Sequence, residues 1–157
     1  MILIVDSGST KTDWIAINKK GKVLFETQTL GLNPQVLGNH ILKERIVNNY
    51  ELYKFRKGVN QIFFYGAGCG TEPPRKLIQS VFSDIFKNCE KISIKEDTYA
   101  AIYSTAETNT KSIVCILGTG SNCTYFDGKN IEQKVISLGY VLMDDASGNY
   151  FGRQLLR

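Results

Sequence analysis

Two short turns rich in small residues carry groups that could bind a phosphate. The first runs from Asp6 to Thr12, has the sequence DSGSTKT and follows an apolar run. Gly8 permits a tight turn, in which backbone amides together with Ser9, Thr10 and Thr12 offer hydrogen-bond donors to phosphate oxygens. Asp6 could hold Mg²⁺ through water molecules, because this ion dehydrates reluctantly. Taken alone, the pattern fits an ordinary hairpin turn equally well.

The second turn, GTGSN, begins at Gly118 and continues through Thr119, Gly120 and Ser121 to Asn122. It is not a dinucleotide-binding fingerprint, because a cysteine stands at the third glycine position, and the chain contains no Walker A sequence. This turn too could be purely structural. Two such turns, each after the first strand of a similar unit, nevertheless predict a nucleoside triphosphate clamped between two domains.

The elements that would position these turns follow the order β-β-β-α-β-α-β-α. Apolar and β-branched runs predict five strands, at 2–5, 14–17, 23–29, 61–65 and 91–95. Helical spacing of apolar residues predicts three helices, at 36–57, 73–86 and 97–106. This order indicates an α/β domain of ribonuclease-H-like layout, in which an antiparallel hairpin edge is continued by parallel strands with helices on the faces.

The pattern then starts again in the last third of the chain. Strands predicted at 113–117, 122–126 and 131–136 repeat the β-turn-β-turn-β opening, which we interpret as an internal duplication of architecture. Residues 150–157 have the pattern of an early helix without a termination signal. We therefore predict an N-terminal domain over 1–110 and the truncated beginning of a second domain of the same type over 111–157.

Composition narrows the function classes. The net charge of +4 is scattered, without a block of five like charges, which argues against a nucleic-acid interface. The four cysteines form no CxxC pair and there is one histidine, which argues against a zinc or iron–sulfur site. Cys115 lies in an apolar run and is expected in the core. Thiols without a disulfide framework, and no visible signal or membrane-spanning run, predict a cytoplasmic protein.

The segments DSGSTKTDW and GTGSNC, with GYVLMDDASG after them, resemble the BadF/BadG/BcrA/BcrD-type ATPase family and, within it, the N-acetylglucosamine kinases. The resemblance covers nearly the whole chain. It implies the actin-like ATPase fold of the actin/hexokinase/sugar-kinase superfamily, Mg-ATP bound in the interdomain cleft, and phosphorylation of a sugar 6-hydroxyl. It identifies Asp6 to Thr12, including Lys11, as the first phosphate loop and Gly118 to Ser121 as the second.

The same resemblance assigns the sugar side. Asn33 in the GLNP loop, Asn122 and Asp144 match residues that contact the amino sugar, and Asp97 matches the catalytic base. A carboxylate at a helix N-terminus stays ionised near neutral pH and could accept the proton of an attacking hydroxyl. On residue types alone, a plain helix cap is the favoured interpretation of Asp97.

One departure from the family pattern keeps two other functions open. The family reads roughly GDEGSG where this chain has Met143 to Gly148, so that Met143 and Ala146 replace two glycines at a backbone expected to need positive φ. The alternatives are an ATPase that activates an electron-transfer or dehydratase partner, and a non-catalytic sugar sensor on a degenerate kinase fold. The expected partners are ATP and a small amino sugar, and the sequence leaves a homodimer open.

Overall fold

The computed structural model describes residues 1–107, 109–118, 120–132 and 144–157. Contacts divide the chain into two compact units, residues 1–97 and 98–157. The division falls before the 110/111 boundary that the sequence pattern predicts, because the helix after Asp97 groups with the second unit. Within the described ranges, none of the helices has the length and apolar character that crossing a membrane requires.

A five-stranded mixed sheet forms the first unit, in the order β3-β2-β1-β4-β5. Its strands are β1 Ile2–Ser7, β2 Lys11–Ile17, β3 Val23–Leu30, β4 Gln61–Gly66 and β5 Lys91–Lys95. The first three strands pair antiparallel, whereas β4 pairs parallel to β1 and β5 pairs parallel to β4. This confirms the predicted α/β layout of an antiparallel edge continued by parallel strands.

Four helices are described in or at the edge of this unit: α1 Asn39–Val47, α2 Tyr50–Phe55, α3 Glu72–Ile85 and α4 Asp97–Thr105. A single 3₁₀ turn follows α2. The continuous helix predicted over 36–57 is wrong, because it breaks at Asn48 and Asn49. The side chain of Asn49 accepts a hydrogen bond from the Leu52 amide and so starts a new helix. Asparagine favours this capping role because its short amide competes for backbone groups.

Aromatic packing fixes α3 against the sheet of the first unit. Phe82 on α3 lies 6.0 Å from Trp14 and 5.3 Å from Phe64, measured between ring centroids. Trp14 belongs to β2 and Phe64 to β4, and all three side chains are fully buried. The indole N–H of Trp14 donates a 3.0 Å hydrogen bond to Thr29 Oγ1. The strands on both sides of β1 are therefore held in one packed core.

In the second unit, α4 is followed by an antiparallel meander of β6 Ser112–Leu117, β7 Ser121–Phe126 and β8 Ile131–Glu132. This confirms the predicted restart of the pattern, although the remainder of the strand predicted to 136 lies outside the described residues. Helix α5 spans Gly148–Leu155. The expectation that Cys115 lies in the core is wrong: β6 alternates, and Ile113, Cys115 and Leu117 are on its exposed face.

Candidate functional site

The predicted site residues of the first unit gather where the parallel strands end. Asp6 and Ser7 close β1, the loop 66–70 follows β4, and Glu96 and Asp97 follow β5. Because these three strands are parallel, their carboxyl ends lie on one edge of the sheet. This edge is where open α/β sheets bind their ligands. An open cleft of about 430 Å³ also lies in this unit, away from this edge, between β3 and α1.

The first turn is a tight connection between β1 and β2. The Gly8 amide donates a 2.9 Å hydrogen bond to the Lys11 carbonyl, which closes the turn. Its exposed members are Asp6, Gly8, Ser9, Thr10 and Lys11. The turn thus presents backbone and side-chain donors to solvent directly beside a carboxylate.

Two buried hydroxyl groups hold this turn in shape from the interior of the protein. Ser7 Oγ and Thr12 Oγ1 lie 2.8 Å apart, and both residues are almost completely buried. Ser7 Oγ accepts from the Leu32 amide at 3.0 Å, and Thr12 Oγ1 donates to the Leu30 carbonyl at 3.2 Å. The Thr12 hydroxyl predicted to contact phosphate is therefore already engaged inside the protein, where it ties the turn to the end of β3.

The segment after β3 lies against the turn and brings Asn33 to it. The Gly31 amide donates to the Thr10 carbonyl at 2.9 Å, and Asn33 Nδ2 donates to Ser9 Oγ at 3.2 Å. A Cβ at Gly31 would stand 2.5 Å from the Gly8 carbonyl oxygen, closer than real Cβ atoms approach. A glycine at this position is what allows the predicted sugar contact and the predicted phosphate turn to adjoin.

The loop 66–70 lies next to both Asn33 and Glu96, the residue that follows β5. Gly68 has a φ of +80°, and a Cβ there would overlap the side chain of Asn33. Two residues on, a Cβ at Gly70 would lie 3.2 Å from a carboxylate oxygen of Glu96. Asn33 is itself fixed, because its Oδ1 accepts a 3.0 Å hydrogen bond from the Gln35 amide.

The charge of Asp97 acts on two ionisable groups in and next to this loop. Burial, followed by the negative charges of Asp97 and Glu96, raises the pKa of the Cys69 thiol to about 12. Burial and then the charge of Asp97 raise the pKa of Glu96, an effect that Arg75 partly offsets. Asp97 is the first residue of α4 and is half-buried. The first unit therefore places Asn33 and Asp97 near the same glycine-rich loop.

The charges around Asp6 are suited to a cation. Asp6 faces Asp13 in the β1–β2 register, and partial burial followed by the charge of Asp13 raises the pKa of Asp6, with Lys11 opposing. Lys11 Nζ lies 2.9 Å from Asp13 Oδ2. In the described residues, no group of three or more His, Cys, Asp or Glu side chains is arranged to cage a metal ion. One or two carboxylates beside phosphate donors match how proteins hold Mg²⁺, which keeps several of its waters.

We expect Asp6→Asn to raise the free energy of unfolding near neutral pH. Because the folded-state pKa of Asp6 lies above its unfolded value, ionising this carboxyl costs the folded state stability as pH rises through that raised pKa. The gain should be largest at about pH 7 and vanish below about pH 4. Urea unfolding followed by the fluorescence of Trp14, the single tryptophan, measures it at both pH values.

Asp84→Asn is the matched contrast, because a hydrogen bond from Lys43 lowers the pKa of Asp84. Its contribution to stability is present above the unfolded pKa and is lost as pH falls, so this variant should be slightly less stable at neutral pH. An Asp6→Asn protein that is less stable than the parent at neutral pH would contradict the assignment of Asp6 as an electrostatically costly group.

In the second unit, the turn after β6 contacts both ends of the 144–148 segment. The Gly118 amide donates to the Gly120 carbonyl at 2.9 Å, and the Gly148 amide donates to the Gly118 carbonyl at 2.8 Å. A Cβ at Gly120 would lie 2.6 Å from Asp144 Oδ2. The structure thus brings the second predicted phosphate turn together with Asp144, a predicted sugar contact.

The other residues predicted for this turn are placed differently from one another. Ser121 is the first residue of β7, and Asn122 is half-buried opposite Ile116. Thr119 and Met143 lie outside the described residues. Their predicted roles, like those of the other site residues, stay predictions.

The segment 144–148 is a strained turn that starts α5. Asp144 is largely buried with a φ of +116°, and Ala146 has a φ of +64°. The Ser147 amide donates to the Asp144 carbonyl at 3.0 Å, and Ser147 Oγ accepts from the Tyr150 amide as the helix cap. The expectation that Ala146 stands where the backbone needs positive φ is confirmed. A glycine would adopt this conformation without the steric cost of a Cβ.

We expect Ala146→Gly to stabilise this turn by about 0.5–1 kcal/mol, because relief of the left-handed strain exceeds the added freedom of glycine in the unfolded chain. The amides of Ser147 and Gly148, whose hydrogen bonds close the turn, should exchange with solvent about two- to fivefold more slowly. Hydrogen exchange with mass spectrometry measures this, and faster exchange in the variant would be the contrary result.

Sequence reasoning missed several contributors to the first-unit site. Gly31 signals a loop, but nothing local shows that it packs on a turn more than twenty positions away. Ser7 and Gly68 were likewise not assigned, because their roles depend on partners from other strands and loops. Glu96 precedes the predicted base and could have been noticed as a second carboxylate there.

Comparison with known proteins identifies relatives that are named as kinases. A curated N-acetyl-D-glucosamine kinase of Dictyostelium discoideum is 25% identical over 166 residues, which cover 98% of this chain and 52% of the relative. A solved Porphyromonas gingivalis structure, provisionally named N-acetylglucosamine kinase, is 38% identical with a TM-score of 0.87, over 99% of this chain and 55% of the other. The chain is similar to proteins named N-acetylglucosamine kinase.

A further solved structure, from Chromobacterium violaceum and with the same provisional name, is 17% identical with a TM-score of 0.69, over 98% of this chain and 54% of the other. At this identity it shows the fold alone. No protein-family model matches the chain. The chain spans about half the length of each of these relatives.

Proposed function

We propose that this chain is the nucleotide-binding part of an ATP-dependent sugar kinase with an actin-like, ribonuclease-H-like fold. It would carry a first domain and the beginning of a second, and transfer the γ-phosphoryl group of ATP to the 6-hydroxyl of N-acetylglucosamine or a related amino sugar. One observation carries the proposal: Asn33 hydrogen-bonds Ser9 of the phosphate turn and packs on the loop 66–70, which also lies beside Glu96, the neighbour of Asp97. A sugar at Asn33 would therefore lie near both the phosphate turn and the proposed carboxylate base.

On the phosphate side, the exposed residues of the first turn would bind oxygens of the triphosphate. Ser9 and Thr10 offer hydroxyl and amide donors, and Lys11 supplies positive charge. Ser7 and Thr12 would hold the turn in shape from inside. Asp6 would hold Mg²⁺, which when bound neutralises charge on phosphate oxygens. Gly118 to Ser121 would form the second phosphate turn.

On the sugar side, Asp97 would act as the general base. Its place at the start of α4, a nine-residue helix, puts the carboxylate at the positive end of the helix dipole. As the sugar hydroxyl oxygen attacks the γ-phosphorus and the bond from that phosphorus to the bridging oxygen of ADP breaks, a carboxylate oxygen of Asp97 would take up the hydroxyl proton. Asn33, Asn122 and Asp144 would orient the sugar, and most of the rate enhancement would come from this positioning.

The test is ADP release by the full-length protein across a panel of sugars. We expect turnover with N-acetylglucosamine, weaker turnover with glucose, and a product phosphorylated on the 6-oxygen. N-acetylglucosamine that lacks the 6-hydroxyl should compete for the site and release no ADP. Sugar binding without turnover, or ATP hydrolysis that does not depend on sugar, would overturn the proposal.

A further inference from the structure

Two thiols face each other across the hairpin that carries the second turn. Cys115 on β6 and Cys123 on β7 are register partners in the antiparallel pair. Both side chains are exposed, and their Sγ atoms lie 3.2 Å apart. The other two cysteines are placed differently: Cys69 is buried, and the Cys89 thiol donates to the carbonyl oxygens of Asn60 and Lys91.

The register of this pair is compatible with the geometry of a disulfide. Residues directly opposite in an antiparallel pair have Cα atoms about 4.5–5.5 Å apart. Disulfide-bonded cysteines span about 4.4–6.8 Å between Cα atoms, with a sulfur–sulfur bond of about 2.0 Å. Rotation of the two side chains is therefore enough to close the 3.2 Å gap between the sulfurs.

We propose that Cys115 and Cys123 form a dithiol–disulfide site that reacts with low-molecular-weight disulfides. The thiolate of one cysteine attacks a sulfur of the external disulfide, breaks its S–S bond and displaces one thiolate. The thiolate of the second cysteine then attacks the protein sulfur of this mixed disulfide and releases the other thiolate. The two protons lost by the protein thiols go to the two released thiolates. One external disulfide is reduced to two thiols while the protein pair is oxidised by two electrons.

Closeness of the second thiol decides the outcome of the first attack. An isolated exposed cysteine stops at the mixed disulfide, whereas a neighbour within van der Waals distance resolves it intramolecularly at high effective concentration. Exposure of both sulfurs gives a small disulfide access to either one. The bond would join β6 and β7 eight positions apart in the chain, at the base of the Gly118–Ser121 turn, and would restrict that turn whatever it binds.

Equilibration of the 157-residue chain in buffers of varied oxidised-to-reduced glutathione ratio tests the proposal. Before alkylation, the intact mass of the oxidised protein should be about 2 Da lower than that of the reduced protein. After acid quenching and alkylation, peptide mapping should show that Cys115 and Cys123 become unavailable to the alkylating reagent together. Cys115→Ser and Cys123→Ser should each stop at a glutathione adduct on the remaining cysteine. Cys89→Ser, the matched control, should behave as the parent protein.

Phenylarsine oxide, which needs two adjacent thiols, gives a second measurement that does not depend on oxidation. It should bind the parent protein and Cys89→Ser in equal stoichiometry and bind neither single variant of the pair. The proposal is overturned if the parent protein keeps both thiols in fully oxidised glutathione, if it accumulates the glutathione adduct as the single variants do, or if it fails to bind the arsenical.

Discussion

Replacing Asp97 by asparagine in the full-length protein is expected to lower kcat at least about a hundredfold, with a modest change in KM for the sugar. The amide keeps the size of the side chain and its hydrogen-bonding capacity at the start of α4, but it cannot take up a proton. Loss of general-base help typically costs about 10²- to 10⁴-fold. A selective fall in kcat is therefore the signature of a group that acts in the chemical step rather than in binding.

Steady-state ADP release at saturating ATP, with the sugar concentration varied, separates the two parameters. Glu72→Gln is the matched control, because Glu72 also lies in the first turn of a helix but is exposed and paired with Lys76. Its kcat should stay within about twofold of the parent value, as for most surface substitutions. A near-parental kcat for Asp97→Asn would remove Asp97 from the mechanism and leave it as a helix-start residue.

Replacing Gly31 by alanine is expected to lower the free energy of unfolding of the first unit by about 2–3 kcal/mol. The new Cβ would meet the carbonyl groups of Ser9 and Gly8, and these are backbone atoms that cannot rotate away. Separation of the two segments would also strain the hydrogen bond from the Gly31 amide to Thr10 and the contact of Arg45 with the Gly31 carbonyl. The destabilised region therefore includes the turn that we propose binds phosphate.

Urea unfolding followed by Trp14 fluorescence reports on the unit that contains Gly31, because Trp14 is buried in its core. Gly58→Ala is the matched control: its nearest neighbour would be the end of the Met1 side chain at 3.8 Å, an ordinary contact. That variant should stay within about 0.5 kcal/mol of the parent protein. If Gly31→Ala unfolds at the same urea concentration as Gly58→Ala, the close approach of the two segments is not required for the stability of the first unit.

The elements whose signal is local could be predicted from the order of residues alone. The apolar run of β1 ending at Asp6, the prolines that open α3 and the alternation in β2 each depend on neighbours within one or two turns of chain, so their types and order were predictable. The restart after residue 110 followed from the same local pattern. One local signal was misinterpreted: the apolar spacing across Asn49 favoured a single helix, while the capping preference of that asparagine prevailed.

Which of these residues meet depends on how the strands pair and pack. Asn33 reaches Ser9, and Gly31 touches the turn at Gly8, because β3 pairs with β2 in one register and delivers the segment after it to that edge of the sheet. Cys115 is exposed because of the face on which β6 places it, which an apolar run alone does not specify. The register of a sheet, and which face of a strand is buried, depend on contacts between residues far apart in the chain. A local pattern carries no information about such partners.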